Sequence, residues 1–220
     1  MTAILENIIQ SPRLKDHFEW LRNYIKEEQQ KRKDFYDFVT EDMKAEFING
    51  EVVIHSPVAN EHESVSTELN TLLNVYVSIH KLGRVTHEKL MISLTRNDYE
   101  PDICFFKREK AARFKEGQKL FPAPDMVVEV LSKSTEKYDR GIKLEDYALH
   151  GIKEYWIIDP RQKTIEKFLL KNKKYELDEK VHQANIISST AIKGFTIPAK
   201  AIFNKSIFLK TLNSISNSKK

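Results

Sequence analysis

Residues 124–160 read PDMVVEVLSKSTEKYDRGIKLEDYALHGIKEYWIIDP. The run from Asp125 to Leu131 is apolar almost throughout, the character of a buried central strand rather than of one that alternates between core and water. Ser134 or Thr135 then offers a helix cap. Tyr138, Ile142, Tyr147 and Leu149 supply a broadly apolar helix, and His150-Gly151 marks its end. EYWIID follows as a further strand, stopped at Pro160. Inside the first strand stands Glu129, flanked by Met126, Val127, Val128, Val130 and Leu131. An ionised carboxylate there is costly unless it is paired, hydrogen-bonded or bound to a cation. Alternation puts Asp125, Val127 and Glu129 on one face and Met126, Val128 and Val130 on the other.

Upstream, DICFF after Pro101 and RVTHEKLMISL before it read as two more strands. A polar, basic loop is expected from Lys107 to Pro122. Asn60 precedes EHESVSTELNTLLNVYVSIHKLG, where Val65, Leu69, Leu72, Leu73, Tyr76 and Ile79 repeat at helical spacing and Gly83 supplies the stop. EFINGEVVIHSP reads as a hairpin turning at Asn49-Gly50 and ended by Pro57. Leu14 to Phe38 predicts one amphipathic helix whose stripe, Leu14, Phe18, Leu21, Tyr24 and Ile25, needs a partner in the domain or in a second subunit. Downstream, TIEKFLL and KYEL form a second hairpin around Lys171-Asn172. The Ser-, Asn- and Lys-rich tail from Asn213 is expected to fray.

The order of elements fits an α/β chain, an α+β mixed sheet flanked by helices with extra hairpins. The 220 residues, 40% hydrophobic and 31% charged, suit one main domain. No secretory leader is expected, since Met1 to Gln10 lacks a basic start before an apolar run, and no stretch reaches the roughly 20 apolar residues of a membrane span. The lone Cys104 argues for a reducing, cytoplasmic setting and reads as core filler. A net charge of +4 permits contact with a polyanion without demanding it. The basic runs at Lys31–Lys33, at Lys171, Lys173 and Lys174, and at Lys219 and Lys220 read as solvated faces. His55, His87 and His150 make no metal-ligand spacing, phosphate-loop and dinucleotide signatures are absent, and Trp156 reads as a core aromatic.

Asp102 opens the DICFF strand and Glu129 lies in the next. If these strands are neighbours, the two carboxylates can converge on a hard divalent ion such as Mg²⁺. On residue pattern alone, Glu129 serves equally as half of a structural ion pair with a lysine. Asp139, Lys143 and Tyr147, four residues apart, share one helix face. That lysine either steadies charge at a phosphate or makes an exposed ion pair.

The quoted run, with YEPDICFF and EFINGEVVIHSPVANEHE before it, resembles the Uma-two family of restriction endonucleases in the PD-(D/E)XK superfamily, over about Val39 to Pro198. The resemblance implies a PD-(D/E)XK restriction-endonuclease-like core in residues 39–212, with 1–38 a helical extension and 213–220 a disordered tail. It implies Mg²⁺ or Mn²⁺ bound by Asp102, Glu129 and the carbonyl of Val130. Glu61 or Glu68 would be an assisting acid, and His62 matches a family histidine; Asp125 is a further accessory acid by its face. The superfamily's lysine two residues past the glutamate is Leu131 here, so Lys143 from the following helix is the expected substitute and Lys133 the fallback. The expected activity is metal-dependent endonucleolytic hydrolysis of DNA, by a chain that suits a homodimer. The rivals are a non-catalytic nucleic-acid or protein interaction module on the same scaffold, and a structural dimer built on the Leu14–Phe38 helix.

Overall fold

The computed structural model describes residues 3–57 and 59–218. Helices α1 (Ala3–Gln10) and α2 (Leu14–Phe38) precede a hairpin, β1 (Ala45–Ile48) and β2 (Glu51–Ile54), and helix α3 (Asn60–His80). Then come β3 (Gly83–His87), β4 (Met91–Ser93), β5 (Asp98–Tyr99), β6 (Ile103–Lys107), α4 (Arg108–Ala111), β7 (Leu120–Phe121), β8 (Met126–Val130), α5 (Glu136–Asp139), α6 (Ile142–Leu149) and β9 (Glu154–Asp159). The chain continues through β10 (Thr164–Lys171), β11 (Lys174–His182), β12 (Ile186–Ser188), β13 (Thr196–Pro198), a 3-10 turn (Ala199–Ile202) and α7 (Lys205–Asn217).

The main sheet has the order β11-β10-β9-β8-β6-β3. Strand β8 lies in its middle with all five residues buried, as its apolar run requires. It pairs antiparallel with β6, Ile103 opposite Val128, and parallel with β9, Val130 opposite Ile158; α5 and α6 make the crossover. Its two faces divide by parity. Met126, Val128 and Val130 join the cluster under α3 and α7, and Val127 joins the one under α6. A second sheet, β2-β1-β5-β4-β7, lies beside this latter cluster and carries Ile48, Ile92 and Tyr99 into it. The hairpin turns at Asn49-Gly50, both with positive φ of 51° and 85°, as the dipeptide predicts.

Several sequence expectations need correction. The RVTHEKLMISL run is two strands in different sheets, because Glu88 and Lys89 adopt left-handed φ values of 47° and 46° and turn the chain between them. The helix after Thr135 is broken at Arg140-Gly141. A side chain at Gly141 would meet the Lys137 carbonyl at 2.7 Å, so this position demands glycine. Asn60 begins α3 rather than capping it, and no side-chain cap bond is made. The KYEL strand runs on to His182. The basic loop contains α4 and β7. Residues 213–217, expected to fray, continue α7, held by the buried Ile215; Lys219 and Lys220 lie outside the described residues. Arg32 is no solvated charge. Its Nε and Nη2 donate to both oxygens of the buried Asp98 at 2.6 Å, and its remaining donors bind the carbonyls of Leu94, Thr95 and Asn97.

Among the described residues, no helix is long and apolar enough to cross a membrane.

Candidate active site

Pro101 and Asp102 follow β5, where the chain passes from the second sheet into β6 of the main one. The β6/β8 register sets Asp102 beside Glu129 and Val130. The Val130 N–H donates to Asp102 Oδ2 at 2.8 Å, and the Asp102 N–H points at Glu129 Oε2 at 3.4 Å. Both acids are buried yet line one cavity of about 750 Å³, shared with Lys44, Glu61, His62, Glu100, Lys133 and Lys143. Two acids from separate segments thus meet, facing the same side.

Each acid has a cation. Lys44, just before β1, reaches Asp102 Oδ1 at 2.7 Å, and His62 Nε2 of α3 lies 3.2 Å from Oδ2. Burial raises the Asp102 carboxyl, but His62 and Lys44 outweigh it and hold it well below the usual range. Lys143 of α6 lies 3.1 Å from Glu129 Oε1, 3.0 Å from Glu46 Oε1 and 3.1 Å from Asp139 Oδ1, with 1% of its side chain exposed. Tyr147, one turn on, donates to the same Glu129 oxygen at 2.9 Å. The Asp139, Lys143 and Tyr147 face therefore turns inward, despite the break before α6, and the exposed-pair reading is excluded.

One ammonium shared by three carboxylates leaves an excess of acid among buried side chains. Burial pushes Glu129 up to about 8, against the pull of Lys143, with Asp139, Asp102 and Glu46 adding to the rise. Burial raises Glu46 too, but Lys143 and His55, whose Nε2 is 3.1 Å from Glu46 Oε2, bring it down to about 2. The Lys143 ammonium is thus divided among three buried acids, with Glu129 raised and Glu46 lowered from the ordinary carboxylate value. Glu100 on the same wall is pushed to about 7 by burial.

The other candidate residues separate. His62 is at the site, Glu61 lies exposed at its mouth, and Lys133 stands exposed on the rim. Glu68, two turns along α3, binds Lys205 of α7 at 3.2 Å instead. Asp125 shares the parity of Glu129 but sits four residues away, about 13 Å along a strand. There it accepts from the Lys107 N–H at 2.8 Å and faces Lys110 Nζ at 3.3 Å. Leu131, at the signature lysine position, packs into the apolar cluster with Tyr147 and Ile157. Sequence reading missed Glu46 and Lys44. Glu46 carried the same signal as Glu129, an acid between apolar strand residues; Lys44 carried none.

The Uma2 family model, described as "Putative restriction endonuclease", matches residues 32–200. The chain belongs to the Uma2 family. A solved structure described as a "putative nuclease belonging to DUF820" from Anabaena variabilis superposes with a TM-score of 0.67 at 20% identity, over 80% of this chain and 97% of that one, and shows the same fold. No curated protein matches the chain. A divalent ion suits the Uma2 site by its donor chemistry. Mg²⁺ is commonly held by one or two carboxylates, with waters and substrate phosphate completing its shell. Asp102 and Glu129 are two such carboxylates, and both line the same cavity. Among the described residues no three of His, Cys, Asp and Glu are grouped as a closed ligand set.

Proposed function

We propose that this Uma2 chain is a metal-dependent endodeoxyribonuclease that hydrolyses phosphodiester bonds of DNA with Mg²⁺ or Mn²⁺. The observation that carries the reading is the convergence of Asp102 and Glu129 at the wall of one cavity, each beside an ammonium group. Asp102, Glu129 and the Val130 carbonyl would hold the ion, and a bound divalent cation supplies polarisation of a phosphoryl oxygen and a more acidic water.

The chain's own residues do the positioning. The Val130 N–H and His62 fix the Asp102 carboxylate from two directions, and Lys143 and Tyr147 fix one oxygen of Glu129, leaving Oε2 towards Asp102. Exposed cations at the mouth, Lys133 and Lys163, suit the phosphates flanking the one to be cut. A reducing cytoplasmic setting suits the lone buried Cys104.

The arm formed by α1 and the first half of α2 supports the homodimer. Nine large apolar side chains between Ile4 and Ile25 stand 41–72% exposed. Together they present on the order of 900 Å² of apolar surface, above the roughly 300–600 Å² patch of a typical monomer and close to the ~800 Å² per partner of a standard interface.

One observation favours the non-catalytic rival: Lys44 and Lys143 already balance the two acids without a metal. The deciding experiment is cleavage of plasmid DNA with Mn²⁺, comparing wild type with Asp102→Ala and Glu129→Ala. Cutting that needs both acids supports the nuclease. A wild-type chain that takes up no Mn²⁺ by calorimetry supports the interaction module.

A further inference from the structure

Leu131 leaves the PD-(D/E)XK signature without its lysine, so the ammonium that faces the substrate must come from elsewhere. Lys143 is placed badly for that role. An ammonium has three N–H donors, and Lys143 Nζ has three carboxylates at 3.0–3.1 Å from Glu46, Glu129 and Asp139. The three acids surround its ammonium, which hydrogen-bonds Glu129 at 3.1 Å, and only 1% of its side chain is exposed, so it is held away from a ligand. Lys133 is free but stands on the rim, with no ion pair to either acid among the described residues.

Lys44 differs on each count. Its Nζ meets one carboxylate oxygen, Asp102 Oδ1 at 2.7 Å, which leaves two donors, and 17% of its side chain is exposed into the cavity it lines. Its backbone is fixed, because the Lys44 carbonyl accepts the His55 N–H at 2.9 Å across the base of the hairpin. The stem has four flexible carbons, so the head group can move while the main chain stays. Asp102 loses little by the exchange, since it keeps the Val130 N–H and His62 on Oδ2.

We propose that Lys44 is the exchangeable cation of this site. It neutralises Asp102 while no divalent ion is bound, yields that oxygen when an ion enters, and turns its ammonium to the nonbridging oxygens of the phosphate being cut. Lys143 remains a buried counter-ion that positions Glu129. The exchange on Asp102 is a property of the metal-free chain; the contact with phosphate rests on the nuclease reading above.

The two parts are tested separately on the full chain. Mn²⁺ is titrated calorimetrically into wild type, Lys44→Met and Lys44→Arg without nucleic acid, and cleavage of a DNA duplex is then followed for all three. Removing the competing ammonium should tighten Mn²⁺ binding roughly tenfold in Lys44→Met, while kcat falls in a chain that stays folded at the assay temperature; Lys44→Arg, which keeps the charge, should not tighten. Affinity rising as turnover falls is a signature that a merely structural residue would not give. Lys44→Met binding Mn²⁺ no tighter than wild type, or Lys44→Arg tightening equally, overturns the exchange. Mn²⁺ uptake with the tenfold gain but no cleavage by wild type upholds the exchange and overturns the nuclease reading with the phosphate contact. Wild type that takes up no Mn²⁺ overturns both.

Discussion

Lys143 Nζ lies 3.0 Å from Glu46 Oε1, joining the crossover helix α6 of the main sheet to strand β1 of the second sheet through a contact in which both side chains are 1% exposed. The same ammonium reaches Glu129, so the two sheets meet at the candidate active site through one buried charge. A buried pair that loses one partner leaves the other uncompensated, at about 3–5 kcal/mol. Lys143→Met should therefore destabilise the chain by about that much in urea, with three acids stranded. Lys44→Met should cost less, about 1–3 kcal/mol, because the buried Asp102 loses one partner but keeps the Val130 N–H and His62. Equal losses in the two variants would contradict the division between a buried counter-ion and an open one.

The main sheet was legible because its strands are distinctive: a continuous apolar run at β8, a Pro-bounded β6 and β9, and an acid placed in β8 where burial demands a pair, a hydrogen bond or a cation. The second sheet was half hidden. Its strands β4, β5 and β7 have two or three residues each, too short for any periodicity to register, and β12 and β13 went unread for the same reason. Asp102, Glu129, His62 and Lys143 were nameable from sequence with the family resemblance. Lys44 and Glu46 reach the site only through the folding of the hairpin onto the main sheet, a long-range relation that local pattern does not carry.

Arg32 illustrates the same limit, since a basic triplet normally means a wet surface. Here the planar guanidinium is matched to both oxygens of Asp98, which is fully buried, and to the loop carbonyls behind it. Arg32→Met should cost about 3–5 kcal/mol, and Arg32→Lys most of that, because an ammonium cannot make the forked contact. Thermal unfolding of both variants is the check; a Lys variant as stable as wild type would show that charge alone suffices.

Glu129→Gln should abolish calorimetric Mn²⁺ uptake, whereas Asp125→Asn should leave it unchanged. The two acids share a strand face, but Asp125 is engaged with the Lys107 N–H and Lys110 at the far end. Loss of Mn²⁺ binding in Asp125→Asn would move the site towards that end.

Glu166 offers a pH dependence remote from the site. Burial raises its carboxyl, but Arg140 and Lys180 outweigh this and hold it below its ordinary value. A lowered folded-state pKa means stability that is present above the ordinary carboxylate value and lost as pH falls through the folded one. The partners are about 40% exposed, so solvent screens the pairs and the contribution is about 1 kcal/mol. Glu166→Gln should lie that far below wild type at pH 7, and the two urea midpoints should converge as pH falls below the ordinary carboxylate value. A gap that does not narrow with falling pH would mean that packing, not charge, is lost.

The arm makes the remaining prediction. Glu28 binds Arg96 through two contacts of 2.8 and 2.7 Å, and from there to Phe38 the helix α2 is tied to the second sheet. The α2 residues before Glu28, together with α1, contribute no buried residue. Leu14, Phe18, Leu21 and Ile25 form one stripe along this segment, and all four stand exposed. A second copy of the same arm is the partner whose apolar area matches. Wild type should sediment as a dimer of the 25.8 kDa chain. Leu21→Glu should sediment as a monomer with its melting temperature little changed at low concentration, since Leu21 is exposed in the protomer. A monomeric wild type at about 100 µM, well above the micromolar dissociation constants of weak pairs, would leave the arm for a different partner; a Leu21→Glu dimer would place the interface elsewhere.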